Sequence, residues 1–295
     1  MWAVTDMSRK PYMVFIDVSA IRSIARTASV RFPGDTRFIV SVNLMEELCT
    51  HQEKGEVPDL GTTSDRAYAQ LRKIDSIRRL GLFKDPIRFE IESGRSTSDA
   101  SLVDLADLTR APLLSAWEQT MMQEHGKKLG SWLFHDLGIT QERKDGLKRV
   151  QPVVGGGTLW PQLAGFMQSD RVQAHIEERA YRFGRSTAKR NGWKLSRSFH
   201  PAGDWLTFGL QISEGAYHMW RLLTHGEEKP SPSKRGNLAY DMAHVAHLAV
   251  CDGFLACDQM ALNMARVCWP EKADSIYTYD QRSREVRVYQ PGWAS

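Results

Sequence analysis

Residues 237–262 read NLAYDMAHVAHLAVCDGFLACDQMAL, and the fold of the chain turns on them. Leu238, Met242, Val245 and Ala249 recur at helical spacing behind Asn237, a good N-cap. Asp241 and His244 lie together on another face of that helix. Asp252-Gly253 then breaks the period, and GFLAC is an apolar run of strand length followed at once by Asp258. A helix, a tight turn, a buried strand and an acid beyond its end make half of an α/β crossover unit. In open parallel sheets, sites form outside the carboxyl ends of the strands. Asp258 therefore stands where chemistry is expected, and Asp241 can reach the same crevice.

The beginning of the chain matches this piece. Tyr12–Ile16 is a continuous apolar run ending in Asp17, and Phe38–Ser41 reads as a second strand. It leads into a helix from Asn43 to about Gln52 that carries Glu46 and Glu47. Adjacent helical residues are about 100° apart, so only one of the two glutamates can face a site. Ser41 and Leu48 around it favour Glu47. Asp252 is a further candidate, although its place before the strand suits a turn cap.

FIDVSA, then SVNLMEEL, then DMAH, then DGFLACD, in that order, resembles the PIN-domain nucleases. The resemblance covers roughly residues 10–80 and 236–280. It implies a three-layer αβα sandwich with a central, mostly parallel sheet, and Mg²⁺ or Mn²⁺ held by Asp17, Glu47, Asp241 and Asp258. It also implies hydrolysis of RNA phosphodiester bonds by a cytoplasmic endoribonuclease, of toxin, defence or RNA-processing type. Where that family often has Thr before its last acid, this chain has Ala256 and Cys257.

The chemistry of the residues agrees with that implication. Clustered carboxylates repel one another unless a cation neutralises them. Oxygen-only ligands suit Mg²⁺ or Mn²⁺, which recruit phosphate oxygens and activate water. Read singly, each acid is as well explained as a helix cap or a solvated strand end. His244 is expected to orient Asp241 or to pack behind the ligands, and His247 to be structural. Neither a zinc-protease motif nor a nucleophile elbow occurs. Two other readings stay open: a non-catalytic RNA-binding or scaffold protein on the same fold, and a single-stranded or flap DNA nuclease. A small-molecule phosphohydrolase is a third.

At 295 residues, 42% hydrophobic and 25% charged, the chain has the balance of a soluble globular protein. No stretch has the apolar length of a membrane span, and no secretory signal opens it. The four cysteines lack CxxC spacing and read as reduced core thiols of a cytosolic protein. A net charge of +4 permits a polyanionic partner without requiring one. An inhibitory protein or a second copy of the chain are further candidate partners.

Three segments follow: residues 1–93 and 236–295 as the two parts of the core, and 94–235 as a mainly helical insertion. In the first part, residues 65–82 show an amphipathic helix and IRFEI (87–91) alternates like a strand. In the insertion, SLVDLADL, APLLSAWEQTMMQEHG and RVQAHIEERAYRF are helix candidates. Gly155–Gly157 and residues 229–237 read as loop and connector. From Arg179 to Gly203 there are seven basic residues and no acid. Arg182, Arg185, Lys189, Arg190, Lys194 and Arg197 are candidates for holding phosphates. Tyr181, Phe183, Trp193 and Phe199 are interleaved and could stack on unpaired bases. A solvated helix face over buried aromatics explains the run equally well. SIYTY (275–279) reads as an edge strand and EVRVYQ (285–290) as one more.

Overall fold

A computed structural model describes residues 12–24, 36–41, 44, 47, 80–104, 158–225 and 240–293. Strands β1 (Tyr12–Ile16), β2 (Thr36–Val40), β3 (Leu80–Phe83), β4 (Leu102–Asp104), β5 (Gly253–Ala256), β6 (Ile276–Asp280) and β7 (Glu285–Val288) form one sheet. Its order is β4-β3-β2-β1-β5-β6-β7. The five central strands run parallel, and β4 and β7 pair antiparallel at the edges. Helices pack against it, so the fold is α/β with a mixed, mostly parallel sheet.

The chain leaves β1 towards β2 on one side of the sheet, whereas β5, hydrogen-bonded to β1, leads to β6 on the other. The β1/β5 seam is therefore a topological switch point, and its crevice opens at the carboxyl ends of both strands. Phe15 and Phe254, both fully buried, stack across this seam at 6.1 Å. The continuous apolar runs of β1 and β5 are the signature of strands buried on both faces.

Helices α1 (Val18–Ile24), α2 (Pro86–Ser93), α3 (Leu159–Met167), α4 (Asp170–Asn191), α5 (Leu206–His225), α6 (residues 240–246) and α7 (Gln259–Cys268) surround the sheet. A 3₁₀ turn, His247–Ala249, continues α6. Helices α3, α4 and α5 share one apolar core with β1, β5 and α7. At Gly209 of α5 a Cβ would collide with the carbonyl oxygen of Ala246. These two segments touch backbone to backbone, which only glycine permits there.

Four expectations need correction. IRFEI is not a strand but the middle of α2, because Pro86 starts a helix and Gly94, at φ 68°, ends it. Ile87 and Ile91 fit both periods, and burial of Glu90 with them, three residues after Ile87, is helical and decides the matter. The third parallel strand is instead β3, built from residues assigned to the end of the 65–82 helix; residues 65–79 lie outside the described part. SLVDLADL contributes Leu102–Asp104 to β4, paired to β3, rather than a helix. SIYTY is an inner strand, since β6 has β7 on its far side. By contrast, RVQAHIEERAYRF lies within α4 and EVRV forms β7. APLLSAWEQTMMQEHG, Gly155–Gly157 and residues 229–237 lie outside the described residues, as do Cys49, Glu46 and Asn237.

Candidate active site

Asp17 follows β1 directly, and its carboxylate is almost fully buried, 5% exposed. His244, on α6 and with no exposure, places Nδ1 2.8 Å from Asp17 Oδ1. The other oxygen, Oδ2, accepts from the Ser19 amide at 2.9 Å and from the Ser19 hydroxyl. Burial alone would push the Asp17 carboxyl up. The His244 hydrogen bond and charge, with the two Ser19 donors, outweigh it and hold the group below its usual value. Asp17 is a fixed anion.

Ser19 ties the seam together. Its Oγ accepts from the amides of Cys257 at 2.9 Å and Asp258 at 3.1 Å, so the turn after β1 is bonded to the turn after β5. The sequence carries this residue in FIDVSA, but nothing in its spacing marked it. Asp258 is exposed and caps α7, accepting from the Ala261 amide at 3.0 Å. The helix-cap reading of this acid therefore holds in the structure, at the mouth of the switch-point crevice.

Ser41 lies just past β2, and its hydroxyl accepts from the Leu44 amide at 3.1 Å, capping the turn that carries Glu47. Glu47 Oε2 approaches His244 Nδ1 to 3.8 Å. His244 thus stands between Asp17 and Glu47. Of the two roles expected for His244, orienting Asp241 or packing behind the acids, its hydrogen bond to Asp17 fits the second. Burial lowers the His244 pKa, but the Asp17 hydrogen bond and the charges of Asp17, Glu47 and Asp241 raise it to a net increase.

Asp241, on the same helix, is partly buried. Its carboxyl is raised from 3.8 to about 7, by burial first and then by the charges of Asp17, Glu47 and Asp258, with His244 opposing. The four acids singled out in the sequence therefore influence one another. Among the described residues, no three His, Cys, Asp or Glu side chains converge on a point where a metal ion could be held as they stand.

Two other expected residues have structural work. Asp252 Oδ2 accepts from the Met13 amide at 2.8 Å, extending the β1–β5 pairing at the amino end of the seam. His247 Nδ1 donates to the Ala243 carbonyl at 2.7 Å, and its ring stacks on Phe15 at 4.5 Å. Burial lowers its pKa to about 4, so it is a neutral core side chain. Cys251 and Cys268 are buried free thiols whose pKa burial pushes well up, and Cys257 is partly buried.

The basic run divides between α4 and the loop after it. Arg182, Arg185, Lys189, Arg190, Lys194 and Arg197 are all exposed, and Arg182 pairs with Glu178 one turn earlier. The interleaved aromatics are not a free stacking row. Phe199 is 1% exposed, lies against Gly184 and meets Trp205 edge-on at 5.5 Å. Tyr181, Phe183 and Trp193 pack at the margin of the core, and Arg88 already covers the Trp193 ring at 5.8 Å.

Sequence reading missed Tyr217 of α5 and Glu90 of α2. Both are fully buried polar side chains within helical stretches, where no motif marks them. No described helix is long and apolar enough to cross a membrane. Comparison with known proteins gives no matching family model, no matching curated protein and no matching solved structure.

Proposed function

We propose that this chain is a metal-dependent endoribonuclease of PIN type, with a three-layer αβα core, acting on RNA in the cytoplasm. The observation that carries the reading is Asp241. Its carboxyl is raised to about 7, in part by three other carboxylates gathered around the β1/β5 switch point. A crowded set of oxygen donors fits a hard divalent cation, because the cation removes the repulsion that the fold itself leaves in place. Among the described residues, His244 Nε2 and the Tyr217 hydroxyl are buried polar atoms without a hydrogen-bond partner.

Asp17, Glu47, Asp241 and Asp258 would hold Mg²⁺ or Mn²⁺. Such an ion neutralises the phosphate, activates water and stabilises the leaving oxygen. The protein's own groups divide the remaining work. His244 and Ser19 keep Asp17 ionised and fixed in orientation. With a pKa of about 7, Asp241 keeps part of its proton near neutral pH until positive charge arrives, which couples its ionisation to filling of the crevice. Asp258 brings the amino end of α7, whose amides favour an incoming anion. The exposed cations of α4 and its loop offer phosphate contacts outside the crevice.

A cleavage assay on mixed RNA and single-stranded DNA tests this, with Mg²⁺, Mn²⁺ or a chelator present. RNA cleavage that needs the ion and is lost in Asp258→Asn is the expected result. Cleavage of DNA alone would move the reading to a deoxyribonuclease. Cleavage that survives the chelator would overturn it.

A further inference from the structure

We propose that the tip of the β6–β7 hairpin, residues 281–284, is the edge of the crevice on which an RNA strand docks, with Arg282 and Arg284 gripping its backbone phosphates. The inference rests on the ribonuclease reading for the identity of the strand, and it names a surface that brings the strand to the site.

Sheet register puts the hairpin there. β5 and β6 run parallel, with Ala256 opposite Thr278. Two residues further along each strand come Asp258 and Asp280. The hairpin turn therefore begins on the strand next to Asp258, about 4.8 Å away at the spacing of neighbouring strands. Two side-chain contacts agree. Cys257 Sγ lies 3.7 Å from the Tyr279 carbonyl oxygen, and Gln281 Nε2 donates to the Ser23 hydroxyl of α1 at 3.2 Å. Helix α1 follows directly on Asp17. The hairpin is thus tied to the elements that carry Asp17 and Asp258.

The turn fixes its backbone and leaves its positive charge uncommitted. Asp280 Oδ1 accepts from the Arg282 amide at 2.8 Å, and the Asp280 carbonyl oxygen accepts from the Arg284 amide at 2.8 Å. Arg287 pairs with both acids of the hairpin, Asp280 at 3.5 Å and Glu285 at 3.0 Å. Arg282 and Arg284 are exposed, and among the described residues neither is in an ion pair. Arg284 also holds φ 59°, a left-handed conformation that glycine adopts without strain and arginine does not. An exposed arginine kept in that conformation lowers stability, which points to a use for its side chain. The chemistry of the mouth supplies the use. Carboxylates there repel an approaching phosphate, and guanidinium groups on the next strand offset that repulsion. Each can hold a phosphate through two parallel hydrogen bonds.

The double variant Arg282→Ala, Arg284→Gly tests the assignment. Glycine suits the backbone at 284, so the melting temperature should stay close to that of the wild type. Binding is read by fluorescence anisotropy with a short single-stranded RNA, in a chelator so that nothing is cut. Two lost phosphate contacts should flatten the slope of log affinity against log salt by about 1.4. The affinity gap to wild type should then narrow about seven-fold between about 50 and 200 mM salt. With the ion present, KM for RNA should rise while kcat is kept, which assigns the two arginines to docking and not to chemistry. An unchanged slope and KM in the double variant would overturn the proposal and leave the nuclease reading intact. Hairpin-dependent binding of RNA that is never cut would support the proposal and overturn the nuclease reading. A wild type that neither binds nor cuts RNA would overturn both. Binding of polyglutamate that the double variant loses, with RNA affinity unchanged, would overturn the proposal in favour of an acidic protein partner.

Discussion

Glu90 and the Asp17–Asp241 crevice are two ways to bury carboxylates in one fold. Glu90 is fully buried on α2, and its Oε1 accepts from the amides of Thr97 at 3.1 Å and Leu206 at 2.6 Å. Oε2 accepts from the Thr207 amide at 2.9 Å and from the Thr207 hydroxyl. Burial raises the Glu90 carboxyl, and the four largest influences after it are hydrogen bonds that lower it. At the crevice, burial also leads, but on Asp241 three further carboxylates push in the same direction. A satisfied carboxylate pins the start of α5 to α2. A crowded one leaves charge that an external partner must balance.

The largest effects should separate the two regions. Glu90→Gln puts an amide NH₂ against donors that now face an oxygen. Each buried donor left unsatisfied costs about 1–3 kcal/mol. Thermal unfolding should show a large loss of stability, while RNA cleavage per folded molecule stays at the wild-type level. Asp17→Asn should abolish cleavage per folded molecule, because the anion is lost; its new NH₂ faces the two Ser19 donors, so some stability is lost as well. A Glu90→Gln protein that is folded but inactive would erase the distinction between architecture and site.

The sequence made the seam legible because strand-end acids sit one or two residues beyond continuous apolar runs, a local pattern. Asp17 and Asp258 were found this way, and the helix bearing Asp241 by its helical period; the structure pairs the two strands side by side. Glu90 was hidden because its four donors come from residues 97 and 206–207, and long-range pairing leaves no local period. Tyr217 was hidden because nothing local marks a buried tyrosine within a helical run. IRFEI was misread since five residues with apolar ends satisfy a period of 2 and a period of 3.6 alike, and Pro86 was not weighed as a helix start. His244 was placed on the right face, but its partner, just past the end of β1, is 227 positions away.

A smaller effect concerns pH. With the Asp241 carboxyl at about 7 in the folded chain and 3.8 otherwise, the folded state holds the proton more tightly than the unfolded state. Its contribution to stability is fully present below about pH 3.8 and is lost as pH rises to about 7, with no further change above. Asp241→Asn removes the ionisable group without removing volume. In metal-free protein the variant should melt higher than wild type at pH 8, and the gap should close at pH 4. Mn²⁺ should narrow the pH 8 gap by stabilising wild type more than the variant. A gap of equal size at both pH values would show that the other acids do not act on Asp241.

The smallest effect belongs to the outer cations, and it asks whether charge outside the crevice matters at all. Arg182, Arg185 and Lys189 project from one exposed stretch of α4, and Arg182 is partly committed to Glu178. Exposed pairs of this kind contribute little to stability, about 0.3–0.5 kcal/mol for an i,i+4 pair, so replacing all three by Ala should leave the melting temperature nearly unchanged. Binding to single-stranded RNA should respond differently. Each phosphate contact on a single strand contributes about 0.7 to the slope of log affinity against log salt. Because Arg182 has a competing carboxylate, the triple variant should flatten that slope by about 1–2 instead of the full sum, and weaken affinity most at low salt. The loss should be electrostatic only, since Phe199 is buried and Arg88 covers Trp193, leaving those two rings unsuited to stack on a base. Measured at an inactive crevice, with Asp17→Asn as the background, the comparison isolates binding from cleavage. An unchanged slope would make this run a solvated helix face and leave the acid crevice as the whole of the site.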